Sequence, residues 1–145
     1  MRISLDKIEA FIFDFDGVLT NNFVYVDQEG KETVRYSRAD GLAFDVLRKL
    51  NIPSFILSTE INPVVTMRAN KLKIKAIQGV RDKKNAIKEL ANKNNYNLNN
   101  IIYIGNDLND YEVMKICGFS ICPADSHSKI KDIANITLNS QGGNG

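Results

Sequence analysis

The chain is 145 residues long, 43% hydrophobic and 25% charged, a length that suits one domain, residues 1–145, with a buried core. Nineteen basic against seventeen acidic side chains leave a formal charge of +2, too near zero to advertise nucleic acid or an anionic membrane as a partner. No run approaches the roughly 18 consecutive apolar residues of a membrane span, and Met1 to Ala10 lacks the basic start and long apolar stretch of a secretion signal, so the expected location is the cytoplasm.

In chain order, short apolar runs end in small or acidic residues, and helix-like stretches lie between them. Residues 8–13 run into Asp14, 52–57 into Ser58, 74–77 into Gln78 and Gly79, and 101–104 into Gly105. Continuous apolar runs of this kind suit strands buried on both faces of a parallel sheet. Residues 41–50, 63–72, 82–92 and 110–116 carry apolar residues at helical spacing, as in Ala86, Ile87, Leu90 and Ala91. The alternation predicts an α/β domain with a doubly wound, mostly parallel sheet, in which chemistry sits at the carboxyl ends of the strands.

One segment breaks the alternation. Residues 23–27 and 32–37 flank Gln28-Glu29-Gly30-Lys31 and read as a β-hairpin directly after the first strand. Both of its faces are apolar, with Phe23 and Tyr25 on one and Val24 and Val26 on the other, so it calls for a partner surface. The Asn-rich stretch 92–100 reads as a solvated connection. Cys117 and Cys122 are too few and too close to frame a disulfide scaffold or complete a zinc site, and read as reduced thiols. His127 reads as the cap of a surface turn, and Asp40 as a helix N-cap.

Two acidic groups stand out because their positions coincide with strand ends. Asp14 and Asp16 lie two apart before Gly17, and like charges so close are unfavourable unless a cation or a shared proton offsets them. Gly105-Asn106-Asp107-Leu108-Asn109-Asp110 ends the fourth apolar run, and the fold brings it to the same sheet edge. Oxygen ligands of this type suit Mg²⁺, which keeps several waters and accepts a substrate phosphate. Ser58 at a strand end can then donate to a phosphoryl oxygen, and Lys83 at a helix start can neutralise one.

Asp14-x-Asp16-Gly-Val-x-Thr20, Ser58, Lys83 and Gly105-Asn106-Asp107-x-x-Asp110 resemble, in order, the four motifs of the haloacid dehalogenase superfamily of phosphohydrolases. The spacing and the hairpin resemble its capless branch, which includes phosphatases of 3-deoxy-manno-octulosonate 8-phosphate and of nonulosonate 9-phosphates. The likeness runs from about Ile8 to the terminal Gly142-Gly143-x-Gly145. It implies a Rossmann-like core in which Asp14 is the nucleophile, Asp16 the acid and then the base, and Ser58 and Lys83 the groups that balance charge on the phosphoryl oxygens. It further implies Mg²⁺ held by Asp14, the Asp16 carbonyl and the fourth motif, Asn106 and Asp107, with Asp110 in support. The first fourth-motif position is usually Asp in this family and is Asn106 here, so Asp107 is expected to carry more of the cation.

The intervals exclude a cap: 41 residues separate Asp16 from Ser58 and 24 separate Ser58 from Lys83, and the hairpin and helices use them. The resemblance implies a homotetramer in which the hairpins, 23–37, pack together over otherwise open sites. After Ser58 the octulosonate phosphatases typically show Gly-Arg, whereas this chain has Thr59-Glu60 with Lys71 downstream, which resembles the nonulosonate phosphatases. Thr20, Thr59, Glu60, Arg68 and Lys71 are accordingly the expected substrate contacts, Glu60 for sugar hydroxyls and Arg68 with Lys71 for the sugar acid. The alternatives are octulosonate 8-phosphate as substrate, and a weakly active or inactive oligomerisation domain associated with a sugar cytidylyltransferase.

Overall fold

Residues 10–13 are apolar on both sides of the strand, and in the computed structural model, which describes residues 4–145, they form the inner strand β1 (Ala10–Phe13) of a parallel sheet. Met1 to Ile3, the first residues of the expected domain, lie outside the described residues. The remaining strands of this sheet are β4 (Ser54–Leu57), β5 (Lys75–Ile77), β6 (Ile101–Ile104), β7 (Phe119–Cys122) and β8 (Ile136–Thr137), in the order β5-β4-β1-β6-β7-β8. The hairpin β2 (Thr20–Val26) and β3 (Glu32–Tyr36) forms a separate two-stranded antiparallel sheet.

Helices cover the two faces unequally. α3 (Lys83–Asn94), α4 (Tyr111–Ile116) and α5 (Ser128–Ile133) bury Ile87, Leu90, Val113 and Ile130 against Ala10, Ile12, Leu57 and Tyr103 on one face. On the other, α1 (Asp40–Lys49) and α2 (Val64–Leu72) pack Phe44, Val65, Ala69 and Leu72 on Ile56 and Phe15. The fold class is as expected, and no cap is inserted among the described residues.

The chain steps from β1 to β4 and β5 on one side, then crosses back to β6 on the other. β1 therefore lies between β4 and β6, pairing Phe13 with Ile56 and with Ile104. Loops leaving the carboxyl ends of these strands part in opposite directions, and that crevice is where open α/β sheets bind ligands.

The differences from expectation have local causes. β4 begins at Ser54 because Pro53 has no N–H to give, although its carbonyl still accepts from Phe11 N at 2.9 Å. The Asn-rich stretch is largely a helix ending: α3 continues to Asn94, Asn95 takes the left-handed conformation (φ 58°) that asparagine tolerates, and Asn97 accepts from Asn99 N at 3.0 Å to start a short 3-10 turn. β7, α5 and β8 were not expected as elements; His127 caps α5, its Nδ1 accepting from Lys129 N at 3.2 Å. Asp40 does not cap α1. The cap position falls on Ala39, and Asp40 instead pairs with Arg68 at 3.2 Å.

Candidate active site

Asp14 follows β1 and is 4% exposed, with its N–H bonded to the Ile104 carbonyl of the neighbouring strand. Its Oδ1 accepts from Phe15 N and from Lys83 Nζ, each at 2.7 Å. A single wide turn over Phe15–Leu19 then reverses the chain, with Gly17 at φ +79°, a conformation that suits glycine. The turn holds Asp16 through Thr20, whose Oγ1 donates to Asp16 Oδ1 at 3.4 Å while accepting from Gly17 N and Asn22 N.

Lys83 opens α3 at the carboxyl end of β5 and bridges two carboxylates, Asp14 Oδ1 and Asp110 Oδ1, both at 2.7 Å. Asp110 is fully buried, and donors surround it: Lys83 Nζ, the Tyr103 hydroxyl at 2.8 Å, Asn106 N at 2.9 Å and Asp107 N at 3.4 Å. Gly105 is required beside it, because a Cβ there would lie 2.7 Å from the Asp110 carboxyl carbon.

Electrostatics follow from this burial. Desolvation raises the Asp14 carboxyl well above its ordinary value, and the Asp110 charge adds to it against the opposing pull of Lys83. Burial lowers Lys83, but Asp14 and Asp110 together outweigh it and leave the ammonium above its usual range. Asp16 is raised by burial and then by the Glu60 charge, with the Thr20 hydrogen bond opposing. A carboxyl shifted in this direction is the type that can give up a proton in one step and take one in the next.

Asp14, Asp16, Asn22, Thr59, Asn106, Asp107 and Asn109 line a cavity of about 320 Å³ at this edge. A larger cavity of about 770 Å³ opens against the edge strand β5 between α2 and α3, but it draws on none of the strand ends that carry Asp14, Ser58 and Asn106. Ser58 ends β4, buried, and its Oγ accepts from Glu60 N at 3.1 Å.

The cation site expected here fits the donors. Among the described residues no three acidic, histidine or cysteine side chains converge to hold a metal by themselves. What converges is a carboxylate, a carbonyl and an amide: one end of the Asn106 amide lies 2.8 Å from Asp16 O and 3.3 Å from Asp14 Oδ2. Adjacent ligands of an octahedral Mg²⁺ bound at 2.0–2.1 Å are about 2.9 Å apart, so the spacing suits a small hard cation. Asp107 is exposed at the same edge, and its Oδ1 accepts from Leu108 N at 2.7 Å.

The expected substrate contacts separate into two groups. Thr59 lines the cavity and Glu60 follows it, with Glu60 Oε1 accepting from Ile61 N and Asn62 N at 2.7 and 2.8 Å. Thr20 and Arg68 are turned inward. Thr20 is fully buried and spent on Asp16, and Arg68 is 4% exposed, its guanidinium on the Ser37 carbonyl, on Asp40 and over the Tyr36 ring. Lys71 is exposed on α2, so Arg68 and Lys71 do not share one anion-binding face. Tyr103, Asn22 and Asn109 were not anticipated. A tyrosine inside a fully buried strand, two residues before Gly105, is a signal for Tyr103, since a buried phenol needs a partner.

Carboxylates at the ends of β1 and β6, with one lysine bridging them at the switch point of an uncapped parallel sheet, define a phosphohydrolase of the α/β type. The sequence profile of haloacid dehalogenase-like hydrolases matches residues 56–145, and the chain belongs to that family as a phosphatase. Over 146 aligned residues it is 30% identical to 3-deoxy-D-manno-octulosonate 8-phosphate phosphatase KdsC of Haemophilus influenzae, spanning 100% of this chain and 81% of that protein. Its structure matches one from Streptomyces avermitilis assigned to the same hydrolase family, with TM-score 0.95 and 35% identity over 99% of this chain and 82% of that one. It also matches the 3-deoxy-D-manno-octulosonate 8-phosphate phosphatase of Moraxella catarrhalis in complex with magnesium, phosphate and 3-deoxy-D-manno-octulosonate. There the TM-score is 0.92 and the identity 31%, over 96% of this chain and 80% of that one.

Proposed function

We propose that the chain releases phosphate from a sugar-acid phosphate, with a nonulosonate 9-phosphate as its substrate, through an aspartyl phosphate on Asp14. The observation that carries this reading is the open edge cavity where Asp14, Asp16 and Asn106 meet beside Lys83. The Asp14 carboxylate attacks phosphorus while Asp16 protonates the departing sugar oxygen. Asp16 then takes a proton from the water that opens the acyl phosphate. Ser58 and Lys83 balance charge on the equatorial phosphoryl oxygens. Asp14, the Asp16 carbonyl, Asn106 and Asp107 would hold Mg²⁺, which supplies positive charge where a carboxylate must approach a phosphate dianion. That charge matters because two like charges about 4 Å apart cost about 4 kcal/mol at an effective dielectric of 20.

For the substrate, the support is Glu60. It sits close enough to Asp16 for its charge to act there, and only Oε1 is committed to its own loop, which leaves Oε2 for a sugar hydroxyl. Octulosonate 8-phosphate is the second reading, favoured by the substrate named for the Haemophilus and Moraxella relatives. The intact Asp14–Lys83–Asp110 bridge argues against a catalytically silent assembly module. No helix among the described residues is long and apolar enough to cross a membrane, and the reading includes a cytoplasmic homotetramer built on the hairpin.

Phosphate release from a nonulosonate 9-phosphate and from octulosonate 8-phosphate, measured side by side with Mg²⁺ and with EDTA, tests this. The expected result is a higher kcat/KM for the nonulosonate, loss of turnover in EDTA, and a fall on the order of 1000-fold or more in Asp14→Asn. The opposite substrate preference favours the second reading, and no turnover of either ester leaves only the assembly role.

A further inference from the structure

Asn106 is fixed everywhere except at its amide. Its N–H donates to Asp110 Oδ2 at 2.9 Å and its carbonyl accepts from His127 N at 2.9 Å, so the backbone is held on both sides. The side chain is 6% exposed and lies over Gly17, where any side chain would collide with it. The remaining freedom is a half-turn about the last side-chain bond, which exchanges the amide oxygen for its NH₂ at one and the same place. That place is 2.8 Å from the Asp16 carbonyl and 3.3 Å from Asp14 Oδ2. Among the described residues no other hydrogen bond reaches Asp14 Oδ2; Phe15 N and Lys83 both take Oδ1.

The two orientations do opposite work. With NH₂ inward, the amide donates to Asp16 O and Asp14 Oδ2 and partners a carboxylate oxygen that no other described protein group reaches. With the oxygen inward, three oxygens face one another, which is favourable only around a cation. An aspartate at this position could do the second and never the first, because its ionised carboxylate has no proton to donate.

We propose that Asn106 is a two-position amide gate: its NH₂ stands in for the cation when the site is metal-free, and the amide turns to offer its oxygen when Mg²⁺ binds. The gate rests on the metal-dependent phosphatase reading above. Its consequence is an exchange of properties, in which the chain gives up cation affinity and gains stability in the metal-free state. Relatives with Asp at this position would then be the tighter binders and the less stable apoproteins.

The test uses the full chain and its Asn106→Asp variant. Mg²⁺ affinity is measured by calorimetry and thermal stability is measured in EDTA and in saturating Mg²⁺. The variant is expected to bind Mg²⁺ on the order of tenfold more tightly, since a carboxylate replaces a neutral ligand. It is also expected to melt below wild type in EDTA and to recover the deficit in Mg²⁺. The second readout needs no variant fold. In ¹⁵N spectra of the wild type, the Asn106 NH₂ pair should be protected from exchange in EDTA and lose that protection on Mg²⁺ saturation; the variant or Asn106→Ser assigns it by its disappearance. Equal affinities with equal melting in EDTA overturn the gate, as does an amide pair that Mg²⁺ binding leaves unchanged. If wild type binds no Mg²⁺ and retains phosphatase turnover in EDTA, the metal reading falls, and the gate falls with it.

Discussion

Lys83 is one cation shared by two buried carboxylates, and the imbalance shapes what each neighbour can do. Removing its charge leaves Asp14 and Asp110 facing each other without a cation between them, and breaking a buried ion pair by deleting one partner typically costs on the order of 3–5 kcal/mol. Lys83→Met is therefore expected to lose turnover and to unfold at much lower urea concentration. An unchanged urea midpoint would mean that the bridge adds nothing to the fold. Tyr103 is a finer case, because its ring is fully buried and its hydroxyl is one of several donors to Asp110. Tyr103→Phe keeps the packing and removes only that donor, so a loss of about 1 kcal/mol in unfolding free energy is expected. If the hydroxyl also fixes where Asp110 holds Lys83, kcat falls several-fold while KM stays, and a KM change instead would place Tyr103 in substrate binding.

At the level of elements, the wide turn after β1 is positioned from an unexpected direction. The terminal segment returns to it: Gly142 N donates to Asp125 Oδ1 and Gly143 N to the Val18 carbonyl, both at 3.0 Å. A Cβ on Gly143 would lie 2.5 Å from Asn21 N and 2.6 Å from the Thr20 carbonyl carbon, so backbone meets backbone where Thr20 holds Asp16. Gly30 offers a matched control, since it shares the positive φ, +79° against +70°, but has open space around it. Both Gly→Ala changes carry the left-handed strain of about 1 kcal/mol. Only Gly143→Ala should also reduce kcat, and equal activity in the two variants would show that the tail does not position the turn. None of this long-range contact was legible in the sequence, whereas Asp14, Asp16, Ser58, Lys83 and Asp110 were, because each ends a strand, opens a helix or, for Asp16, lies in the turn directly after a strand whose apolar pattern is local. Arg68 shows the limit from the other side. Its spacing from Lys71 suggested a shared helix face for the sugar acid, but its partners Asp40 and Ser37 lie about thirty positions earlier and come together with it only through the packing of α1 on α2. β7, α5 and β8 escaped notice for a different reason: Ser120 interrupts the apolar run of β7, α5 carries only Ile130 and Ile133 among polar residues, and β8 is two residues long.

For the whole molecule the hairpin is the open question that the core does not answer. Phe23, Val24, Tyr25 and Val26 are 50–70% exposed, and two-stranded ribbons are marginal in water without a surface to pack on. An edge site with no cap among the described residues has the same need, since phosphoryl chemistry gains from excluding water and those residues supply no lid. A neighbouring copy that buries the ribbon would meet both requirements, and hairpin-to-hairpin packing would bury exposed apolar residues on both sides of the contact. Light scattering at micromolar concentration is expected to give the mass of four chains. The double variant Phe23→Ser with Tyr25→Ser should give a single chain with the same circular dichroism, because neither residue contributes to the core of the parent sheet. The kinetic arm separates assembly from chemistry. If a neighbour covers the site, dissociation raises KM for the sugar-acid phosphate more than it lowers kcat, since the Asp14–Lys83 pair is made within one chain. A wild type that is monomeric at that concentration, or a monomeric variant with unaltered KM, would assign the apolar ribbon to some other surface.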